Sequence, residues 1–274
     1  MRHVFTLLFI LVIQGCSKKA QPTVQLPPVE EIPEVVKVLS EPNISADSVF
    51  FLNTAIVTLS HDVDNVAIHY SVDGSEVTED SPIYVSPLNV DINIDLKCKA
   101  YHPDYVAPSN LSNLSLRKCI STPELILKQS STLPNEPFMG TGLTALSDLK
   151  KGELKGEESP NWIGFQEEEI VFEYKLDKPI YCNGISISTL SNPLKGVLNP
   201  QRFEIDVDDE LVGFLQIKAP AGKTPPELKI WDFSVKNKIK KSIKIKVVNA
   251  KTVPNWYEDQ MEKPWIFIDE IIIN

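Results

Sequence analysis

A two-residue rhythm, repeated along the chain, narrows the available folds more than any other feature. Val66, Ile68, Tyr70 and Val72 alternate with Ala67, His69 and Ser71, and Ile243-Lys244-Ile245-Lys246-Val247 sets aliphatics on one side and lysines on the other. Successive side chains of a strand point to opposite faces, so this rhythm specifies half-buried β-strands. Glu169–Tyr174, Ile185–Ser188 and Phe203–Val207 repeat it, and the apolar run from Trp265 to Ile273 fits a long strand buried between sheets. Further short apolar, β-branched runs lie at Val49–Phe51, Ala55–Leu59, Ile83–Val85, Val90–Ile94, Leu96–Tyr101 and Leu114–Arg117. Asp73-Gly74 and Asp208-Asp209 supply residue types that tolerate the tight turns between strands. The expectation is an all-β protein.

The front of the chain has a different character. An apolar run from Val4 to Ile13 follows Met1-Arg2-His3 and ends at Ile13-Gln14-Gly15-Cys16. A charged start, a short apolar stretch and a small residue make an export signal, and the run is too short for a membrane span, which needs about 20 residues. Ile13 to Cys16 resembles the lipobox of bacterial lipoproteins. That resemblance implies removal of residues 1–15, a diacylglycerol on the sulfur of Cys16, and a place in the bacterial cell envelope, at the outer membrane or cell surface. Residues 16–41 contain Pro22, Pro27, Pro28 and Pro33 but no Gly, the composition of an extended tether. Of the other cysteines, Cys98, Cys119 and Cys182, a Cys98–Cys119 bridge is the pairing to consider in an exported chain.

After the tether, residues 42–118 hold the first group of strands, 119–137 a connector with Pro123 and Pro134, and 138–274 the second group. His69-Tyr70-Ser71-Val72-Asp73-Gly74-Ser75-Glu76-Val77-Thr78, followed by Ser81-Pro82-Ile83-Tyr84, resembles the immunoglobulin-like module at the C-terminus of chitobiase and β-hexosaminidase enzymes. Leu96-Lys97-Cys98-Lys99-Ala100 matches a later strand of that module. The resemblance implies a small Ig-like β-sandwich that is accessory and non-catalytic.

The second group resembles the discoidin-like, or galactose-binding-like, module through Leu146-Ser147-Asp148 with Gly152, Trp162-Ile163-Gly164-Phe165, Pro254-Asn255-Trp256 and Trp265-Ile266-Phe267-Ile268-Asp269-Glu270-Ile271. It implies a jelly roll of about eight antiparallel strands. Leu149 stands where that family has Gly after Asp148, which changes the backbone freedom of the loop.

The chemistry-bearing residues point away from catalysis. Between the two groups no room remains for a (β/α)8 barrel, which takes about 250 residues. Asp269-Glu270 has the look of a hydrolytic acid pair, but strand neighbours face opposite sides, so an exposed pair or a strand-end hydrogen bond is expected. No Cys-x-x-Cys pair or ligand-like histidine spacing occurs, and neither a metal nor a cofactor is expected. The acidic group Asp206, Asp208, Asp209 and Glu210 reads as a solvated turn rather than a calcium loop. A net charge of −10 opposes binding to nucleic acid. The candidate ligand-binding residues are Asp148, from the loop that carries the resemblance, and Trp162, Trp256 and Tyr257, whose flat side chains suit pyranose rings, with Trp265 assigned to the core. The function expected is that of a membrane-anchored, non-catalytic lipoprotein that binds glycans or surfaces. The alternatives are a docking subunit for another envelope protein, and a remnant or partner of a β-N-acetylhexosaminidase.

Overall fold

In the computed structural model the described residues are 38–120, 125–127, 131–154, 159–219, 222–257 and 263–274. The expected export segment, Cys16 and most of the expected tether lie outside them. Leu39 is already buried at 2% exposure, so folded structure begins ahead of Pro42.

The first group of strands comprises β1 (Asn43–Ala46), β2 (Phe50–Phe51), β3 (Ala55–Ser60), β4 (Ala67–Ser71), β5 (Leu88–Val90), β6 (Ile94–Tyr101) and β7 (Ser112–Lys118). The described strands pair as one sheet in the order β1-β3-β5 and another in the order β2-β7-β6-β4. Strict alternation drives this: along β3 every second residue, Ala55, Val57 and Leu59, is buried, and along β6 Ile94, Leu96, Cys98 and Ala100 are. The expected Val90–Ile94 strand is divided, since Val90 closes β5 and Ile94 opens β6. Ile83 makes only an isolated bridge to His69. Gly74, at φ +77°, turns the chain after β4 as its sequence predicts.

The second group comprises β8 (Leu125–Leu127), β9 (Ile163–Phe165), β10 (Glu169–Leu176), β11 (Ile180–Ser191), β12 (Arg202–Val207), β13 (Glu210–Gln216), β14 (Glu227–Ile239), β15 (Ser242–Val248) and β16 (Ile266–Ile273). They form two antiparallel sheets, in the orders β13-β12-β15-β10-β8 and β14-β11-β16-β9. Phe172, Phe203, Ile205, Ile245 and Val247 from the first meet Ile185, Ile187, Ile266 and Ile268 from the second in one apolar core. The aliphatics of β15 face inward, and its lysines outward beside acids: Lys246 lies 3.4 Å from Glu204. Asp208 and Asp209, at φ 52° and 72°, make the β12–β13 turn. The Asp208 carboxylate accepts backbone N–H groups from Lys240, Lys241 and Ser242, so the acidic turn closes on the chain itself.

The described residues belong to one compact unit. The first sandwich packs against the outer face of the β14-β11-β16-β9 sheet, where Phe50 and Cys119 meet Ile272, with Leu149 and Ile230 beside them. Arg117 fastens the seam. Its Nε and Nη2 reach both oxygens of Asp232 at 2.9 and 2.6 Å, Nη2 also reaches Asp95 at 2.8 Å, and Nη1 donates to the Ile94 and Leu116 carbonyls. The guanidinium is 5% exposed while both carboxylates stay about half exposed. Replacing Arg117 with Met lets those carboxylates rehydrate, so the expected loss is about 2 kcal/mol, below that of a fully buried pair. A urea melt of Arg117→Met measures it; an unchanged midpoint would show that the seam does not depend on this arginine.

Cys98, Cys119 and Cys182, the cysteines among the described residues, are free. This corrects the Cys98–Cys119 pairing: Cys98 sits in the core of the first sandwich, while Cys119 sits in the seam with Phe50 and Ile272. No helix among the described residues is long and apolar enough to cross a membrane.

Candidate functional site

The residues singled out in the second sandwich fall into two separate places. One is sealed and lies beneath the 148–152 segment. There β16 carries a bulge: Ser188 pairs with Glu270 and Thr189 with Ile268, so Asp269 is the extra residue. A bulge interrupts the alternation. Ile266, Ile268, Ile271 and Ile273 face the core, whereas Phe267 and Ile272 pack on the other side. Asp269 and Glu270 both reach the 148–152 segment on that outer side. The Gly152 N–H donates to Asp269 Oδ2 at 2.7 Å, the Lys151 ammonium donates to it at 3.1 Å, and the Leu149 N–H donates to Glu270 Oε1 at 3.3 Å.

The expectation of an exposed pair or a strand-end hydrogen bond is therefore corrected: Asp269 is 0% exposed and Glu270 is 1% exposed. The outer face is covered by the first sandwich and by the side chains of Phe138 and Trp162. Burial pushes the Glu270 carboxyl up to about 9, against the Leu149 N–H, which favours the charged form, and with Asp269 and Asp148 adding to the rise. Glu270 thus holds its proton at neutral pH. Burial also pushes the Lys151 ammonium down, while Asp269 pulls it back up. Lys151 stands 5.3 Å from the centre of the Phe50 ring and 5.4 Å from that of Trp162, in cation–π range. Asp269 Oδ1 and Glu270 Oε2 are buried without hydrogen-bond partners. This is a pinning device that fixes the 148–152 segment to the sheet; a substrate has no access to carboxylates sealed this completely.

Two candidate ligand residues belong to that device rather than to a binding surface. Trp162 is fully buried, and its indole N–H donates to the Glu153 carbonyl at 3.0 Å. Gly152 makes room for it: a Cβ there would lie 2.2 Å from Trp162 Cε2. Asp148 closes its own turn, accepting the Lys150 N–H at 2.9 Å. Leu149 adopts φ +62°, so the loop keeps a glycine-like backbone despite the side chain, which packs into the seam instead. Lys151 was invisible in the sequence because its partner lies 118 positions away and no spacing links them.

The second place is the sandwich end formed by the β11–β12, β13–β14 and β15–β16 connections. A cleft of about 280 Å³ opens there, between Asn199, Gln201 and Ile217 on one side and Thr252, Val253 and Asn255 on the other. Asn199 Oδ1 is buried without a hydrogen-bond partner. Trp256 and Tyr257 continue the same loop, both half-buried, with their rings edge to face at 6.5 Å. The Tyr257 N–H donates to the Pro254 carbonyl, which turns the loop. Trp265 is core, packed edge to face against Phe138 and tilted against Phe267. Trp231 is bound by its indole N–H to Thr189 at 2.9 Å. Of the four candidates, then, the structure keeps Trp256 and Tyr257 together in the loop that supplies one wall of a cleft, and draws Asp148 and Trp162 elsewhere.

Residues 48–112 match the family model of the chitobiase/β-hexosaminidase C-terminal domain. Among solved structures, GH31 CBM32-2 bound to GalNAc is similar at 12% identity and a TM-score of 0.34, over 56% of this chain and 98% of that one. CpGH89CBM32-6 of Clostridium perfringens is similar at 15% identity and 0.30, over 56% and 94%. A fucolectin from striped bass (Morone saxatilis) serum is similar at 9% identity and 0.32, over 84% of each chain. No curated protein matches the chain.

Proposed function

With a chitobiase/β-hexosaminidase C-terminal domain over residues 48–112 as premise, we propose that the protein is a non-catalytic accessory protein that binds saccharides at the loop end of its second sandwich. The carrying observation is a cleft walled by Asn199, Gln201, Thr252 and Asn255, whose last wall residue runs directly into the half-buried aromatic pair Trp256 and Tyr257 of the same loop. Amide and hydroxyl groups supply donors and acceptors for sugar hydroxyls. The aromatic pair supplies a flat apolar surface for a ring face, the mixture typical of small-ligand sites. Isothermal titration of the whole chain with neutral oligosaccharides tests the reading. Trp256→Ala removes an aromatic anchor, and an affinity loss of about tenfold or more is expected. Unchanged affinity in that variant would remove the loop end from the reading.

The same proposal places the protein in the bacterial cell envelope, held by a diacylglyceryl group on Cys16. The support is the sequence Ile13-Gln14-Gly15-Cys16 after a short apolar run. A second acyl chain or a second signal is needed for lasting attachment, and Lys18-Lys19 beside it suits anionic head groups. Cells fed labelled palmitate should label the wild type and not Cys16→Ser; label persisting in the variant would refute the anchor.

A further inference from the structure

A larger cleft lies on the first sandwich, far along the chain from the loop end. It holds about 560 Å³, inside the roughly 300–1,000 Å³ span of ligand pockets. It forms where the two sheets of that sandwich run out: β4 ends one sheet and β5 ends the other. Residues of both strands line it, so its walls are rigid sheet backbone on two sides. Its floor is apolar, with Val90 and Ile94 at 5% and 6% exposure, and Ile92 stands at its rim, 65% exposed. Tyr70 lies half-buried in the wall.

The polar groups along this second seam, between β4 and β5 and distinct from the Arg117 seam, keep unused hydrogen-bonding capacity. Among the described residues, no hydrogen bond engages the Tyr70 hydroxyl, the Asn89 amide or the Asp91 carboxylate, although Asp91 lends its backbone carbonyl to Lys118 at 2.9 Å. Asp73 accepts the Ser75 N–H at 3.1 Å and a hydrogen bond from the Ser75 side chain, which leaves part of its capacity for a ligand. The lining contains two carboxylates and no Lys, Arg or His; Lys97, on the neighbouring β6, is turned onto the Gly74 carbonyl. Lys97 and Lys118 stand behind the lining on backbone carbonyls, so the charged groups that face the cleft directly are the two carboxylates, which disfavour an anion there. An ammonium would have to shed water over a largely apolar floor, which costs more than placing neutral hydroxyls there. Neutral hydroxyls can donate to carboxylates and to an amide oxygen, and the C–H face of a pyranose ring suits Tyr70 and Ile92.

We propose that this seam is a second saccharide site, taking an uncharged pyranose with its apolar face on Tyr70 and Ile92 and its hydroxyls on Asp73, Asn89 and Asp91. The inference goes beyond the proposed loop-end site and does not rest on it. Two sites on one body would let the protein hold two sugar units or two strands of one polymer, with avidity exceeding either site alone.

The test uses the whole isotopically labelled chain and four probes: neutral tetramers of N-acetylglucosamine, galactose and mannose, and tetragalacturonate as the anionic control. Amide shifts locate the contact and titration gives the affinity. At least one neutral tetramer should shift the amides of Asn89, Asp91 and Ile92, and tetragalacturonate should leave them in place. Asn89 and Asp91 are exposed and outside the core, so Asn89→Ala and Asp91→Ala should fold normally and weaken the seam site by about tenfold. Trp256→Ala should leave the seam shifts intact. Shifts confined to the 250–257 loop would overturn the seam site and leave the loop-end site standing. Shifts confined to the seam would do the reverse. Silence of the seam amides with every neutral probe, or preferential binding of tetragalacturonate there, overturns the inference.

Discussion

Raising the pH from about 5 to about 9 should destabilise the folded protein, by about 1.4 kcal/mol for each unit in the middle of that window. The cause is Glu270. Its folded-state carboxyl is pushed by burial from the ordinary 4.5 up to about 9. Between those values the folded state keeps the proton and the unfolded chain releases it, so the native state binds more protons and stability falls as pH rises. Lys151 acts in the opposite sense at the alkaline end. Burial lowers its folded value, so between that value and the ordinary 10.5 the unfolded chain holds more protons and stability rises with pH. Asp95 and Asp208 titrate on the acid side. Burial raises each carboxyl, but hydrogen bonds from Ser115 and Arg117 to Asp95, and from three backbone N–H groups to Asp208, hold them below the usual 3.8. Their stabilisation is present above 3.8 and lost as pH falls through their folded values, outside the window. Urea melts at pH 5, 7 and 9 should therefore slope downward in the wild type and flatten in Glu270→Gln. Equal slopes in the two proteins would mean that Glu270 does not carry this proton.

Lys151→Met should cost about 3–5 kcal/mol at pH 7, the scale of removing one partner from a buried ion pair. The ammonium is the charge that compensates Asp269, which is 0% exposed and otherwise keeps the Gly152 N–H on the same oxygen. The methionine would still fill the space between the Phe50 and Trp162 rings, so the loss would report charge rather than volume. Adding Asp269→Asn should return more than half of the lost stability, because the uncompensated charge is then gone. Denaturation of the two variants measures both steps. A cost below about 1 kcal/mol for Lys151→Met would contradict the pinning role.

Much of the architecture was legible because it is written locally. Ile243-Lys244-Ile245-Lys246-Val247 forecasts β15 and its two faces, and Ile245 pairs in register with Phe172 and Ile205 as core neighbours. The turns at Gly74 and Asp208-Asp209 follow from residue types that accept positive φ. What escaped depends on distant segments. Asp269 and Glu270 were assigned to opposite faces by the strand period, and a bulge opposite Ser188 and Thr189 put both on one side. Their burial depends on a first sandwich docked over the sheet, and the residues that dock it, Arg117 and Asp232, lie 115 positions apart. Trp162 carried the right aromatic chemistry for a sugar platform, but nothing in Trp162-Ile163-Gly164-Phe165 states which face is covered. The seam on the first sandwich was equally hidden. Tyr70 and Asp73 were visible as core and turn residues, and only the placing of β4 and β5 at the ends of two facing sheets brings them to one cleft with Asn89 and Asp91.

A saccharide array probed with the whole chain puts the functional reading at risk in one step. Binding should concentrate on uncharged glycans, fall with Trp256→Ala at the loop end and with Asp91→Ala at the seam, and leave uronate and sulfated glycans empty. A blank array, or binding confined to anionic glycans, would contradict it.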